Sequence, residues 1–236
     1  MRSATARTSA ATVRRCPGRR ADLLEKIAAD RPEFGTVQID TTDPASIRAA
    51  AADVLARYPG LDTVIAMAGI MRVEDWHHPE GFLESAEAVV STNVLGPIRL
   101  LAAFIEHLQA RPSAAVITVS SGLAFAPLKA TPSYNASKAA IHMLTESIRL
   151  QLADTNIEFK ELIPPSVATD LLPGQRESSF AMPLDDFVSE VMSILESEPE
   201  ATEIQVERAK FLRYGEARGD YDKVVETLNS SDPHGN

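Results

Sequence analysis

A chain of 236 residues, 44% of them hydrophobic, is long enough to bury the core of one domain. Its formal net charge of −10 argues against a nucleic-acid partner, because polyanions are bound by basic surfaces. Cys16 is the single cysteine, so an intrachain disulfide is excluded and a reducing, cytoplasmic location is expected.

The hydrophobic pattern predicts strands and helices that alternate along the chain. In order, they are strand 36–40, helix 44–58, strand 62–66, helix 82–110, strand 114–120, helix 133–154, strand 157–163, helix 184–197 and strand 203–207. This alternation is typical of an α/β domain with a parallel, doubly wound sheet. Asp43 and Pro44 are predicted to begin helix 44–58, as its cap and its first residue. We find no apolar run that approaches the ~20 residues of a membrane span, so no membrane partner is expected.

Tyr134 and Lys138 stand four residues apart at the start of helix 133–154, and therefore on one face of that helix. A free tyrosine ionises near pH ~10, but an ammonium group beside the phenol favours the phenolate and lowers its pKa. The pair is consistent with a tuned acid/base. From spacing alone, an exposed helix face is the commoner interpretation.

Ser121 lies at the end of the apolar strand 114–120, where open α/β sheets bind their ligands. It precedes Tyr134 by thirteen residues (134 − 121 = 13). A loop that contains Pro127 and Pro132 can fold back and bring the serine hydroxyl to the phenol. The alternative is a serine that simply ends a strand.

Together these residues resemble the short-chain dehydrogenase/reductase family, whose Tyr-x-x-x-Lys motif follows a serine at this spacing. Residues 66–69 resemble its Asn-Asn-Ala-Gly stretch with both asparagines replaced, and residues 91–93 resemble its Ser-x-Asn helix motif. Residues 164–169 resemble its Pro-Gly loop, with Pro165 in place of the glycine. The resemblance runs from about Gly18 to the C-terminus. It implies a Rossmann-like doubly wound parallel sheet in a single domain, 18–236.

The resemblance also implies a reaction, the NAD(P)-dependent interconversion of an alcohol and a carbonyl compound by hydride transfer. Tyr134 would pass the proton to or from the substrate oxygen, and Ser121 would hydrogen-bond the same oxygen. Lys138 would lower the pKa of Tyr134 and hold the nicotinamide ribose. Asn93 would hold a water that links Lys138 to solvent. The implied substrate is a small molecule.

Further residues would hold the cofactor if the resemblance extends to them. An arginine at position 19 can pair with the 2′-phosphate of NADP, which favours NADP over NAD while leaving NAD possible. Asp40 resembles the family's acidic residue that contacts the adenine. Thr169 resembles the residue that contacts the nicotinamide carboxamide. The implied set is Arg19, Asp40, Thr41, Ala68, Gly69, Asn93, Tyr134, Lys138, Pro164 and Thr169.

The beginning of the chain departs from the family pattern, since residues 1–17 contain no glycine, no apolar run and no acidic residue. A Rossmann unit needs a first strand, a glycine-rich turn and a helix, roughly thirty residues in all. We therefore expect the first strand and the glycine-rich turn to be lacking and the leader 1–17 to be disordered. A truncated or out-of-frame start is the favoured explanation; an organelle transit peptide and a genuine cofactor-free relative are the alternatives.

That departure has a structural consequence. Without the first two strands of the family, the edge beside strand 62–66 would be unpaired, so we expect poor stability. It also keeps a second function class open, an inactive remnant or a cofactor-free binding protein of the same fold. Sugar epimerase or dehydratase chemistry is a weaker third, because those relatives carry a larger C-terminal substrate region.

Other segments bear on substrate and partners. Residues 170–184 correspond to the family's substrate lid, in which Leu171, Leu172, Phe180 and Met182 predict either an apolar pocket or packing of the loop. Residues 206–229 resemble a bacterial subgroup of generic oxidoreductases, which does not identify a substrate. The long helices are those through which the family usually dimerises, so a homodimer or homotetramer is expected. His77 and His78 are adjacent and unaccompanied by further ligands, so we predict an exposed loop and no metal.

Overall fold

The computed structural model describes residues 21–31 and 34–230. In this part of the chain, four short strands rich in β-branched residues form one parallel sheet in the order β1-β2-β3-β4. They are β1 (Thr63–Ala66), β2 (Ala114–Val119), β3 (Ile157–Ile163) and β4 (Glu203–Gln205). Because Ala66 pairs with Thr118 and Val119 pairs with Leu162, the carboxyl ends of β1, β2 and β3 lie at one edge. The predicted parallel α/β fold is confirmed.

Nine α-helices flank or follow this sheet in the described residues. They are α1 (Ala21–Asp30), α2 (Pro44–Arg57), α3 (Leu83–Val90), α4 (Gly96–Gln109), α5 (Pro132–Gln151), α6 (Leu184–Ser197), α7 (Glu207–Arg213), α8 (Gly215–Arg218) and α9 (Tyr221–Ser230). The start of α2 confirms the predicted cap, since the Asp43 carboxylate accepts a hydrogen bond from Ala45 N and Pro44 is the first helical residue.

The main hydrophobic core lies between the sheet and the helices α2, α4 and α5. Side chains from all three helices pack on alternate residues of β1, β2 and β3, which point to one face of the sheet. The buried members of this core are Ala51, Val54, Val64, Leu101, Phe104, Leu108, Ala114, Val116, Ile157 and Phe159. A smaller cluster around Ile163 and Val206 joins β3 and the end of β4 to α6. The core therefore holds α2 and α4 against the sheet, and α5 contributes Ile148 at its margin.

Three predicted elements differ from the structure. The predicted strand 36–40 is reduced to an isolated bridge at Thr36, because the described part of the chain supplies no neighbouring strand for it. The predicted strand 203–207 stops at Gln205, since Glu190 Oε1 accepts a hydrogen bond from Glu207 N at 2.6 Å and α7 begins there. The predicted helix 82–110 is interrupted between α3 and α4 by a π-helical turn, Ser91–Leu95.

The helical stretch Pro79–Gln109 is the one stretch among the described residues that is long and apolar enough to cross a membrane by length and composition. The prediction that no apolar run comes near that length is therefore wrong. Leu101, Phe104 and Leu108 of this stretch lie in the main core against the sheet. Packing of that kind is typical of a helix inside a folded domain.

Candidate active site

The loops that follow β1, β2 and β3 converge at the carboxyl edge of the sheet. The loop after β2 is tied to the loop after β3 by a hydrogen bond from Gly122 N to Pro164 O at 2.9 Å. The N-terminus of α5 reaches the same edge. Ligands of doubly wound sheets bind in such a crevice.

Ser121 and Tyr134 are brought together at this edge. Ser121 follows β2 by two residues in extended conformation and caps a short 3-10 turn, Gly122–Ala124, by accepting a hydrogen bond from Leu123 N at 3.1 Å. Tyr134 is the third residue of α5, and both side chains are buried. The two side chains lie close enough for the Ser121 hydroxyl to influence the acidity of the phenol.

Burial controls the acidity of Tyr134. Removal from water raises the pKa of Tyr134 to about 12, and the nearby hydroxyl of Ser121 acts in the opposite direction without overcoming the effect of burial. The sequence analysis predicted a lowered pKa, and in this arrangement the direction is wrong. Burial is the largest influence on this pKa, and the ammonium of Lys138 lies 5.5 Å from the centroid of the tyrosine ring, over its face. The phenol of Tyr134 is accordingly protonated at neutral pH.

Lys138 is buried one helical turn after Tyr134, and its Nζ donates a hydrogen bond to Val119 O on β2 at 2.8 Å. Burial lowers the pKa of Lys138 to about 8, while the negative charge of Glu161 raises it. The ammonium form therefore gives way to the neutral amine only slightly above neutral pH. Lys138 can titrate in the range where an enzyme works.

Asn93 lies at the centre of the π-helical turn and is almost completely buried. Its amide makes three hydrogen bonds: it accepts from Ile70 N at 2.8 Å and donates to Ile70 O at 2.9 Å and to Ser137 Oγ at 3.0 Å. These bonds clamp the segment after β1 to α5 next to Lys138. π-helical turns are frequently found at functional sites, because the extra residue redirects a side chain.

Gly69 follows β1 and leaves an open position between Asn93 and Lys138. A Cβ at Gly69 would lie 3.3 Å from Asn93 Oδ1 and 3.7 Å from Lys138 Nζ. Any larger residue would fill the space beside these two polar groups. Glycine here keeps the crevice open for a ligand that approaches the backbone closely.

The side chain of Glu74 holds the first turn of α5 in place. Its buried carboxylate accepts hydrogen bonds from Trp76 Nε1 at 2.9 Å, from Ser85 Oγ at 2.7 Å and from Ser133 N at 3.1 Å. Burial acts to raise the pKa of Glu74, but these hydrogen bonds outweigh it and lower the pKa. An ionised carboxylate is favourable at a helix N-terminus. The residue after Ser133 is Tyr134, so Glu74 orients the backbone that carries the phenol.

The loop between Ser121 and Tyr134 is held by the C-terminal helices. A Cβ at Gly122 would lie 2.7 Å from a methyl carbon of Leu212 on α7, so α7 packs directly on the turn after Ser121. On α9, Asn229 Oδ1 accepts from Lys129 N at 2.7 Å, and Asn229 Nδ2 donates to Pro127 O at 3.0 Å. The loop thus has supports near both of its ends.

The residues predicted to meet the adenine lie further along the same edge. Asp40 Oδ1 accepts hydrogen bonds from Thr42 N at 2.8 Å and Thr42 Oγ1 at 2.7 Å, so its carboxylate shapes its own turn. Thr41 is buried against the start of α4, where a Cβ at Gly96 would lie 3.2 Å from the Thr41 Cβ. Arg19, predicted to pair with a 2′-phosphate, and Cys16 lie outside the described residues.

The remaining predicted cofactor residues flank the loops after β1 and β3. Ala68 directly precedes Gly69. Pro164 is joined to Gly122 as described, and Thr169 Oγ1 donates to Val167 O at 3.3 Å within its own loop. Four residues form the compact part of the site: Ser121, Tyr134, Lys138 and Asn93.

The lid segment 170–184 is pinned to the loop after β3. Met182 N donates to Ser166 O and Ala168 N donates to Met182 O, each at 2.8 Å, and Gln175 Nε2 donates to Val167 O at 2.7 Å. Leu172 and Met182 are buried, whereas Phe180 is exposed. Two of the predicted apolar side chains therefore pack the loop itself. Phe180 remains available at the surface.

His77 and His78 are exposed, as predicted, and His77 pairs with Asp75 beside it. Sequence reasoning missed another histidine. His142 follows Lys138 by four residues, and its Nδ1 is hydrogen-bonded to Glu161 Oε2 at 2.8 Å. The available signals were the repeat of polar residues at every fourth position of α5 and a glutamate inside the apolar strand β3.

Comparisons with known proteins agree with this geometry. The sequence model of the short chain dehydrogenase family matches residues 2–179, beginning earlier than the motifs quoted above. The uncharacterized oxidoreductase DltE of Bacillus subtilis (strain 168) is 33% identical over 221 residues, which cover 91% of this chain and 86% of that protein. Both matches cover most of the chain.

Two solved structures are similar in fold. A short-chain dehydrogenase from Streptomyces avermitilis superposes with a TM-score of 0.73 at 22% identity, covering 91% of this chain and 87% of that one. An NADPH-bound carbonyl reductase from chicken fatty liver superposes with a TM-score of 0.66 at 29% identity, covering 81% and 86%. The motif order, the site geometry and these similarities lead to one conclusion: the chain belongs to the short-chain dehydrogenase family.

Proposed function

We propose that this oxidoreductase family member interconverts an alcohol and a carbonyl compound with a nicotinamide cofactor, and that Tyr134 handles the proton. One observation carries the proposal: a buried tyrosine has a buried serine hydroxyl close enough to influence its acidity and a buried lysine over its ring, at the carboxyl edge of a parallel sheet. A proton donor, a second hydrogen-bond donor and a positive charge at one point are what carbonyl reduction needs.

In the direction of reduction, Tyr134 gives its hydroxyl proton to the carbonyl oxygen. Ser121 donates a second hydrogen bond to the same oxygen and stabilises the negative charge that develops there. The phenolate left on Tyr134 is stabilised by the ammonium of Lys138. In the direction of oxidation, the phenolate takes the alcohol proton back.

The cofactor, when bound, supplies or accepts the hydride at the substrate carbon. The open position at Gly69, next to Asn93 and Lys138, fits the close approach of such a ligand. Lys138, Ala68, Gly69, Pro164 and Thr169 would hold its nicotinamide end. Asp40 and Thr41 would hold its adenine end, and Arg19 would select NADP over NAD.

We place the enzyme in the cytoplasm as a homodimer formed through α4 and α5, which acts on a small molecule. The support is a set of apolar side chains on the outer faces of these helices: Met143 is 60% and Leu150 is 80% exposed on α5, and Ile98 is 40% exposed on α4. Two helices per subunit can bury such residues in an isologous interface.

Titration of the purified chain with NADPH, followed by cofactor fluorescence, tests the proposal. Saturable binding, together with NADPH oxidation in the presence of a panel of small aldehydes and ketones, is the expected result. The same titration with NADH reports the preference between the two cofactors. Absence of any saturable binding would defeat the oxidoreductase assignment and favour the cofactor-free binding protein.

A further inference from the structure

Glu161 is a carboxylate placed inside the protein, on β3 beneath the helix that carries Tyr134 and Lys138. Its side chain is completely buried. Oε2 is hydrogen-bonded to His142 Nδ1 at 2.8 Å, while Oε1 has no hydrogen-bond partner. Burial of a carboxylate is costly unless nearby positive charge or hydrogen bonds compensate it. The positively charged groups near Glu161 therefore indicate which residues compensate its charge.

The geometry places Glu161 in the same layer as Lys138. Thr118 on β2 is paired in register with Glu161, and Thr118 Oγ1 shares a hydrogen bond of 2.7 Å with Thr145 Oγ1 on α5. Side chains at paired positions of parallel strands point to the same face, so Glu161 also points toward α5. Lys138 bonds the carbonyl of Val119, the residue after Thr118.

α5 presents three titratable side chains to this layer at intervals of four residues: Tyr134, Lys138 and His142. The series runs from the carboxyl edge of the sheet toward its interior. His142 is bonded to Glu161, and Lys138 lies one turn nearer to the substrate edge. The carboxylate thus faces both an imidazole and an ammonium on one helix.

The remaining charges around Glu161 come from β4 and α7. Glu203, paired with Glu161 in register, accepts two hydrogen bonds from Arg213, at 3.1 and 2.9 Å. In the described part of the chain, ligand atoms of His142, Glu161 and Glu203 lie within 4.8 Å of one another. Arg213 already supplies the positive charge that Glu203 requires, which argues against a metal ion there. The charge of Glu161 also acts on Arg213 and helps to raise the pKa of Arg213, so Arg213 shares the compensation of Glu161 with His142 and Lys138.

We propose that Glu161, oriented by His142, is the buried counter-charge of Lys138 and so a positioning residue for proton transfer by Tyr134. It acts through Lys138, whose ammonium it keeps charged inside the protein. The proposal rests on the proposed function for its catalytic meaning, but its electrostatic content can be measured without turnover.

The direction of the effect follows from the opposing influences on Lys138. Burial lowers the pKa of Lys138 to about 8, and the charge of Glu161 raises it. Loss of that charge would let the ammonium release its proton nearer to neutral pH. Tyr134 would then face a neutral amine over part of the working pH range.

The test is an NMR titration of protein labelled with ¹³C at lysine Cε, in which the Lys138 signal is assigned by its absence from Lys138→Arg. In Glu161→Gln, the midpoint of the Lys138 titration should fall by about one pH unit. Glu158→Gln is the matched control, because it removes the same charge from an exposed side chain on the opposite face of β3. An unchanged midpoint in Glu161→Gln, or an equal fall in Glu158→Gln, would overturn the proposal.

His142→Phe provides a second variant should Glu161→Gln fail to fold. Phenylalanine keeps the edge-on contact with the Phe125 ring, whose centroid is 4.6 Å away, and removes the hydrogen bond to Glu161. In His142→Phe, the midpoint of the Lys138 titration should also fall. In Glu161→Asp, which keeps the charge, the midpoint should stay close to the wild-type value. A midpoint that stays at the wild-type value in His142→Phe, or one that falls by a full pH unit in Glu161→Asp, would refute the counter-charge role.

Two further readouts separate this proposal from the proposed function. In active protein, the alkaline limb of the pH profile of kcat should move to lower pH in Glu161→Gln and stay in place in Glu158→Gln. A shifted Lys138 titration in a protein that binds no NADPH or NADH would support the counter-charge while defeating the oxidoreductase assignment. NADPH binding without a shifted Lys138 titration would support the oxidoreductase assignment and overturn the counter-charge role of Glu161.

Discussion

The two sides of the sheet's carboxyl edge differ in how completely they are closed. Around β2, β3 and α5, the side chains of Ser121, Tyr134 and Lys138 are buried, and those of Ser121 and Lys138 are hydrogen-bonded to the backbone. On β1, Val64 is 7% exposed while its neighbour Ile65 is 52% exposed, and β1 pairs only with β2 in the described residues. The proposed proton-handling half of the site is therefore fully packed, whereas among the described residues the strand on the proposed cofactor side has an exposed side chain and no partner at its outer edge.

This contrast teaches that the two halves of the reaction have separate structural origins. The proton chemistry is built between residues 114 and 163, where strand, loop and helix follow one another closely in the chain. The cofactor half depends on what lies beside β1. The variants below test each half on its own.

The largest effect is expected for Tyr134→Phe, which removes the proton donor and leaves the ring in place. Turnover should fall by roughly 10³-fold, the usual contribution of a positioned general acid. NADPH affinity should stay within about a factor of two, because the hydroxyl contributes mainly in the transition state. Steady-state kinetics and a fluorescence titration measure the two quantities; a parallel loss of affinity would show that Tyr134 supports the cofactor half as well.

Lys138 should make the free energy of unfolding depend on pH in the alkaline range. Because burial lowers its pKa from 10.5 to about 8, the unfolded chain binds the proton more tightly than the folded one. The free energy of unfolding should therefore rise between pH 8 and about 10, by up to roughly 3 kcal/mol. Above that window the sign reverses, since the raised pKa of Tyr134 favours the unfolded state as its phenol ionises there.

Urea unfolding at pH 7 to 10 measures this dependence. The rise should vanish in Lys138→Met and persist in Lys223→Met, whose side chain is on the surface of α9. If the unfolding free energy of the wild-type protein does not change between pH 8 and 10, the lowered pKa of buried Lys138 is contradicted.

Neighbouring residues of β1 should respond differently to truncation. Val64→Ala leaves a cavity in the main core and should cost about 2 kcal/mol of unfolding free energy, whereas Ile65→Ala should cost less than about 1 kcal/mol. Denaturant unfolding of both variants decides the matter. Equal losses would mean that Ile65 is covered in solution.

The smallest effect is expected at Arg19, which the sequence analysis assigns to the 2′-phosphate. Arg19→Ala should weaken NADPH binding by about 10-fold, the usual contribution of a charge-assisted hydrogen bond, and leave NADH binding unchanged. Fluorescence titrations with both cofactors compare the two affinities. An equal change for NADPH and NADH would remove Arg19 from the specificity determinants.

Local patterns were sufficient for much of the fold and for the compact site. The Asp43–Pro44 helix start and the alternation of strands and helices depend on neighbouring residues, and the structure follows both. The short spacing between Ser121 and Tyr134 likewise allowed their contact to be expected.

Features that depend on distant residues were not predictable in the same way. Asn93 bonds Ile70, which is 23 residues away, and His142 bonds Glu161, which is 19 residues away. The sign of the Tyr134 pKa shift was missed because burial, which decides it, is a property of the packed structure.

The contacts of Leu212 with Gly122 and of Asn229 with the loop at Pro127 and Lys129 have a practical consequence. The helices α7 and α9 support the loop that joins Ser121 to Tyr134. Shortening the chain after Val206, or fusing a bulky partner close to α9, should disturb chemistry that takes place far from the terminus in sequence. A C-terminal affinity tag on this protein therefore calls for a long, flexible spacer.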